Sequence, residues 1–461
     1  MNHNPILDVD SYKASHYRQY PPGTTAVSSY IESRGGAAPH TVFFGLQRFL
    51  KTYLSQRVTQ AHIEEAAHLL PAHGLPFHEA GWRHILEVHG GRLPLSVEAV
   101  PEGSVVPVSN VLVQVRNTDP TCAWLTSYVE TALLRAVWYP TSVATRSFEC
   151  RRIIAAALER TADNADGLPF KVHDFGARGA SSAETAALGG AAHLLSFQGT
   201  DTVAAIRLLR ESYDADMPGF SIPAAEHSTM TAWGREREVK AYANMLASFG
   251  GEGRVVAVVS DSYDLFHAID ALWGEQLREA VMNSGGTLVV RPDSGDPVQI
   301  VCESIERLMA KFGFRTNSKG YRILPDCVRV IQGDGVSPAM IETILDAMAE
   351  QGLCADNVAF GMGGELLQRV DRDTQKFAMK ASAVEIDGQW HDVYKDPVTD
   401  PGKVSKRGRL ALVHDGLWRT VRAEQRGAAN NALREVFRDG ALYLEDTLDA
   451  VRARLDVSAL T

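Results

Sequence analysis

Arg291 and Asp293 stand two residues apart, directly after the apolar run Leu288-Val289-Val290. Side chains two apart on a strand point to the same side, so a guanidinium and a carboxylate leave that strand end together. An arginine grips phosphate as a fork, while a carboxylate holds ribose hydroxyls or Mg2+. An internal ion pair at a loop is the plainer alternative. Asp261 and Asp264 follow the preceding apolar run, Val255–Ser260, at the equivalent point, and this favours the chemical reading.

Two glycine clusters have the same placement. Gly361-Met362-Gly363-Gly364 follows Val358–Phe360 and precedes a helix expected from Glu365. Glycines there let backbone N–H groups approach an anion at a helix start, or they simply make a tight turn. The cluster is neither a Walker A loop nor a complete GxGxxG fingerprint. Gly333-Asp334-Gly335 follows Val328–Gln332, where Asp334 either holds a ribose hydroxyl or shapes a turn. Phe175 and Arg178 suit a planar heterocycle with a phosphate nearby, or a core contact and a salt bridge. His227, within Ser221-Ile222-Pro223-Ala224-Ala225-Glu226-His227, is as a lone histidine more often a packing or capping residue than a catalyst. The basic run from Lys395 through Lys403 to Arg409 is either a solvated loop or the rim of a polyanion pocket, with nuclear localisation a weaker third reading.

The elements that would carry these residues are short parallel strands. The four apolar runs recur about every 30 to 40 residues, the length of one βα unit. In parallel α/β folds the ligand binds where the strands end. The rim chemistry points to a phosphorylated sugar. Lys171-Val172-His173 predicts a further strand and Phe197–Asp201 another strand end. Helices are expected near 142–161, from a capping box at Ser181–Glu184 to about Leu195, and near 265–283, 297–312 and 338–351. Residues 94–115 read as a small β-region, and the tail from about Ala441 as helical. The expected organisation is an α/β barrel over residues 141–379, flanked by an α+β domain built from 1–140 and 380–461.

Composition bounds the rest. The 461 residues are 45% hydrophobic and 22% charged, as in ordinary globular proteins. The net charge of −10 argues against broad nucleic-acid binding but leaves room for a local cationic pocket. No apolar run approaches the roughly 20 residues of a membrane span. The polar start Met1-Asn2-His3-Asn4 predicts no secretory leader. Five scattered cysteines without a CxxC pair predict neither a disulfide framework nor a zinc site, and a cytoplasmic location fits best.

Read together, the motifs resemble a family. Asp10-Ser11-Tyr12-Lys13 with His16-Tyr17, His173-Asp174-Phe175-Gly176 with Arg178-Gly179, and Gly199-Thr200-Asp201 are similar to nicotinamide phosphoribosyltransferases. So are Pro223–Thr229, Ser260–Asp264, Arg291–Gly295, Val330–Gly335, and the stretch from Lys395-Asp396-Pro397 to Arg409. The resemblance spans nearly the whole chain, in order. It implies an irregular α/β barrel of the type II phosphoribosyltransferases that joins nicotinamide to 5-phosphoribosyl-1-pyrophosphate, giving nicotinamide mononucleotide and pyrophosphate in NAD salvage. It implies a homodimer with shared sites, Mg2+ on the pyrophosphate, and ATP as an activating co-substrate.

Residue by residue, the resemblance implies that His227 is phosphorylated by ATP, that Asp261 orients it, and that Asp293 joins them as a catalytic carboxylate. Tyr12 of one subunit and Phe175 of the other would sandwich the nicotinamide ring, with Asp10 and Ser221 also at the substrate. Arg178 would lie near the carboxamide and product phosphate. Asp201 would accept from the carboxamide NH2 and repel anionic nicotinate. Arg291, Asp293, Gly333, Asp334, Gly363 and Gly364 would bind the phosphoribosyl part. Arg34, Arg372, Lys380, Lys395 and Lys403 would surround the phosphates, and Asp261 and Asp293 are candidate Mg2+ ligands. Ala177, Met362 and Ala378 depart from vertebrate-type members of the family. The alternatives are a nicotinate phosphoribosyltransferase, a metal-dependent barrel aldolase or lyase, and a binding protein without catalysis.

Overall fold

A computed structural model describes residues 3–399, 404–427 and 430–455. The chain forms two compact units, one of residues 1–145, 211–215 and 370–461, the other of 146–210 and 216–369.

The second unit holds six parallel strands: β1 (Val172–Asp174), β2 (Gly199–Thr200), β3 (Val255–Val259), β4 (Thr287–Arg291), β5 (Val328–Gln332) and β6 (Val358–Met362). Their order across the sheet is β2-β1-β6-β5-β4-β3, and every pairing is parallel. All four runs read from the sequence are strands within a residue or two of their expected ends. Their outward residues, among them Val256, Val258, Leu288, Val290, Val330 and Phe360, are almost fully buried. Ala257, Val289 and Ile331 form a separate small cluster with Phe175, Ile222, Val255 and Ala359. Burial on both faces explains why these strands read as continuous apolar runs.

An irregular segment joins the two edge strands. Phe220 bridges Gly199 of β2, and Ala224 bridges Ala257 of β3. The bonds are made by Thr200 N–H to Phe220 O (2.9 Å), Phe220 N–H to Gln198 O (2.7 Å), Ala257 N–H to Pro223 O (2.9 Å) and Ala225 N–H to Ala257 O (2.9 Å). These few bonds close the curled sheet into an irregular barrel.

Helices Ala183–His193, Pro297–Phe312 and Pro338–Glu350 lie between strands as expected. Ser182, one residue later than the expected Ser181, caps the first by accepting from Thr185 N–H (3.0 Å). The stretch 265–283 is divided into Leu265–His267, a π-helical Ala268–Gln276, and Arg278–Met282. The helix expected from Ser142 begins at Glu130 and runs through Pro140 to Thr161. Pro140 removes one helical hydrogen bond, yet its ring occupies the space that a side chain on Gly45 would need (2.3 Å from an added Cβ).

The first unit is built on a seven-stranded antiparallel sheet. Its long strand Thr24–Ser33 lies between Phe377–Ile386 and Val111–Asn117. The tail departs from expectation: Ala441–Leu442 is a strand, and the helix is confined to Leu448–Ala453.

Candidate active site

The barrel mouth is assembled from the ends of β1 to β6. Alternation along β4, β5 and β6 sends Arg291, Gly333 and Gly361 to the inner side, above Val289, Ile331 and Ala359. The Phe175 ring lies over this layer. A Cβ on Gly361 would sit 2.0 Å from Phe175 Cε2, so only glycine admits the ring there. An added Cβ on Gly333 would lie 3.1 Å from Asp293 Oδ1 and 3.7 Å from both Arg291 Cδ and Phe175 Cε2. The aromatic ring, the guanidinium stem and a carboxylate therefore converge on one glycine. Met362, the next residue on β6, is fully buried.

Asp201, at the end of β2, accepts from His173 Nε2 (3.0 Å) and from the Ser221 hydroxyl (2.6 Å). Burial opposes its charge, but these bonds and the positive field of His173 and Arg291 outweigh it, holding the carboxyl below the usual range. Beneath it, fully buried Asp174 accepts from Gly176 N–H (2.8 Å) and from the Thr200 hydroxyl (3.1 Å). Asp174 thereby ties the turn carrying Phe175 to the strand end carrying Asp201.

His227 opens the short helix His227–Thr231, which is capped reciprocally by Glu226 and Thr229. Its Nε2 lies 3.0 Å from Asp261 Oδ1, and its Nδ1 lies 3.9 Å from Asp293 Oδ2. Asp261 is almost buried, and its other oxygen accepts from Asp293 N–H (3.0 Å) and Ser294 Oγ (2.5 Å). With an acceptor at Nε2, the proton belongs there, and the Nδ1 lone pair is free. The ring is 45% exposed, so that nitrogen is reachable. Arg291 approaches Asp293 at 4.0 Å, while its Nε is buried without a partner.

The structure thus brings together Phe175, Asp201, Ser221, His227, Asp261, Arg291, Asp293 and Gly333. Asp334 is exposed, and its carbonyl accepts from Gln332 Nε2 (2.7 Å). Gly363 precedes the four-residue helix Gly364–Leu367, and its added Cβ would be 4.0 Å from Phe175 O. Arg178 is exposed in the turn Ala177–Gly179, without an ion-pair partner among the described residues.

In the first unit, Asp10 precedes the helix Ser11–Arg18 and accepts from the Thr131 hydroxyl (2.8 Å). Tyr12 is exposed, with Lys13 Nζ 5.2 Å and the His16 ring 5.1 Å from its centroid. Burial lowers the pKa of Lys380; Glu130 opposes this, and the cations Arg34, Lys13 and Lys395 reinforce it. Arg34 Nε meets Glu32 at 3.1 Å, while its Nη2 is buried and unpartnered. Lys395 is exposed. Arg372 pairs on the surface with the adjacent Asp373 at 3.2 Å. Lys403 lies outside the described residues.

Known proteins share both sequence and fold. The nicotinate phosphoribosyltransferase (NAPRTase) family matches residues 170–441, and the nicotinamide phosphoribosyltransferase N-terminal domain matches residues 4–97. A nicotinamide phosphoribosyltransferase of Xanthomonas campestris is 55% identical, over 99% of each chain. The chain belongs to the nicotinamide phosphoribosyltransferase family. Another relative of that name, from Acinetobacter baylyi, is 32% identical over 98% of this chain and 97% of its own. The fold alone is shared with nicotinate-nucleotide pyrophosphorylase from Pyrococcus furiosus (TM-score 0.61, 16% identity, 99% of this chain and 95% of that one). It is shared also with human nicotinic acid phosphoribosyltransferase (TM-score 0.54, 18% identity, 97% and 92% coverage).

Within this nicotinamide phosphoribosyltransferase family fold, three supporting residues escaped the sequence reading. His173 and Ser294 hold Asp201 and Asp261, and Asp174 joins two strand ends. His173 is two residues from Phe175, the spacing that places two side chains on one face of a strand. That spacing was the available signal. Nothing local marks Ser294, whose partner is 33 residues away.

Proposed function

We propose that this chain transfers the phosphoribosyl group of 5-phosphoribosyl-1-pyrophosphate to nicotinamide, giving nicotinamide mononucleotide and pyrophosphate. The observation that carries the reading is Asp201, a carboxylate held in its charged form by Ser221 and by His173, whose ring lies 5.2 Å from that of Phe175. A neutral carboxamide offers it an N–H donor, while nicotinate brings a second negative charge. The names of the bacterial relatives support the same base.

The reacting nitrogen is positioned by stacking and by this amide contact. Arg291, with an unsatisfied buried N–H, suits an anionic group on the sugar. As the glycosidic bond to pyrophosphate breaks, positive charge grows on the sugar and negative charge on the leaving group. Asp293 lies where a carboxylate can hold ribose hydroxyls. Both Asp261 oxygens are already engaged, so Asp293 fits Mg2+ better. When bound, Mg2+ would neutralise charge on the pyrophosphate.

The reading extends to ATP. The free Nδ1 of His227 would attack the terminal phosphorus, with ADP leaving, while Asp261 holds the Nε2 proton. Hydrolysis of that phosphohistidine would drive synthesis forward. It also includes a homodimer in which exposed Tyr12 of one copy covers the base lying on Phe175 of the other. Arg34, Lys380, Lys395, Arg372 and Lys403 would serve the phosphates, in a cytoplasmic NAD salvage route. A product assay with Mg2+, 5-phosphoribosyl-1-pyrophosphate and either base tests the proposal. Nicotinamide mononucleotide as the main product supports it; preference for nicotinate, or no nucleotide at all, overturns it.

A further inference from the structure

The first unit gathers three potential metal ligands, His84, Asp119 and Cys122, with His89 joined to them through Asp119. His84 lies on the helix Glu79–Val88, and His89 is that helix's C-cap. Asp119 caps and Cys122 ends the short turn Pro120–Cys122, which follows strand Val111–Asn117. One carboxylate oxygen, Asp119 Oδ2, meets both imidazoles, His84 Nε2 at 2.7 Å and His89 Nε2 at 2.6 Å. The other oxygen accepts from Thr121 N–H at 2.7 Å and fixes the turn. The ligand atoms of His84, Asp119 and Cys122 all lie within 4.8 Å of one another. Both histidines and Asp119 are partly exposed, so an ion has an entry path, while Cys122 closes the buried side.

Two imidazoles aimed at one oxygen are more than turn capping requires. Two nitrogens, one carboxylate oxygen and one sulfur are a donor set suited to Zn2+, with bonds of about 2.0–2.3 Å. Tetrahedral bonds of that length set ligand atoms about 3.3–3.8 Å apart, so both imidazoles would draw back from Asp119 by roughly 0.6–1 Å, with Cys122 and His89 moving closer together. We propose that His84, His89, Asp119 and Cys122 form a structural Zn2+ site that pins the helix Glu79–Val88 to the turn after strand Val111–Asn117. Binding moves each imidazole proton from Nε2 to Nδ1 and releases the Cys122 thiol proton to solvent. No oxidation or reduction is involved. The site is independent of the nucleotide chemistry, and its failure would leave the proposed function untouched.

The test uses the full-length protein, stripped with chelator and reloaded with Zn2+ or Co2+. Wild type should retain close to one Zn2+ per chain after gel filtration. His84→Gln and His89→Gln, each checked for folding by circular dichroism, should weaken binding by about tenfold or more. The Co2+ protein should show the strong visible bands of a tetrahedral site and a thiolate charge-transfer band that Cys122→Ser removes. Zn2+ retention unchanged in both histidine variants would overturn the site, as would no retention by wild type. If the variants do not fold, the wild-type Co2+ spectrum decides, and a weak octahedral spectrum without the thiolate band overturns the proposal.

Discussion

Asp201 accepts from His173 and Ser221 and still exposes about half of its side chain, which leaves room for an incoming amide. Replacing it with asparagine removes the charge and keeps the shape. Asp201→Asn should lower the nicotinamide-over-nicotinate ratio of kcat/KM by about tenfold or more. Steady-state assays on both bases check this, and an unchanged ratio would exclude charge as the selector. At His227 the expectation differs. His227→Ala should abolish stimulation by ATP while basal synthesis falls less, measured as initial rates with and without ATP. Equal loss of both would point to a structural role. Single residues were legible in the sequence where a motif carried them. Asp261 was read as the partner of His227 through the family resemblance, and the two lie 3.0 Å apart. Ser294 and the second bond of Asp261 were not legible, since hydrogen bonds between strand ends depend on three-dimensional register.

At the scale of elements, β6 does its work by what it lacks. Gly361 leaves the space that the Phe175 ring fills. Gly361→Ala should therefore push the ring out of the mouth and raise KM for nicotinamide by about tenfold, with KM for the phosphoribosyl donor changing less. An unaltered KM for the base would show that Phe175 is not its platform. The four strands β3 to β6 were readable because each is buried on both faces and ends in glycine or a charged residue. Two features were not. The barrel is closed by 220–225, which has no strand pattern and makes only a few main-chain bonds. The helix Glu130–Thr161 ignores its internal proline because tertiary packing around Gly45 compensates.

For the whole molecule, two buried groups give stability opposite dependences on pH. Glu102, in the first unit, has its carboxyl pushed up from 4.5 to about 7 by burial, despite bonds from Gln47 N–H and Tyr213 OH. A raised folded pKa stabilises at low pH, and that contribution is lost as pH rises from about 4.5 through 7. Burial pushes His193, in the second unit, down from 6.5 to about 4. A depressed folded pKa stabilises above 6.5, and that contribution is lost as pH falls through 4. Each shift is worth about 3 kcal/mol, so the two nearly offset between pH 4.5 and 6.5. Glu102→Gln should unmask the histidine: acidification from pH 7.5 to 4.5 should cost the variant about 3 kcal/mol more than wild type. Urea unfolding at the two pH values measures this, and parallel losses would rule it out.

The seven-stranded sheet of the first unit also sets a timetable. Thr25 and Glu385, bonded side chain to side chain at 2.9 Å, are 360 residues apart in the chain. At a synthesis rate of roughly 5–20 residues per second, the strand Thr24–Ser33 waits on the order of 20 to 70 s for its partner Phe377–Ile386. The βα units of the barrel emerge during that interval, and their most distant strand pairing, β1 with β6 (Val172 opposite Phe360), spans about half that separation. A nascent chain therefore carries an unpaired strand edge while later segments are already folding, which makes a ribosome-associated chaperone most useful for its earliest residues.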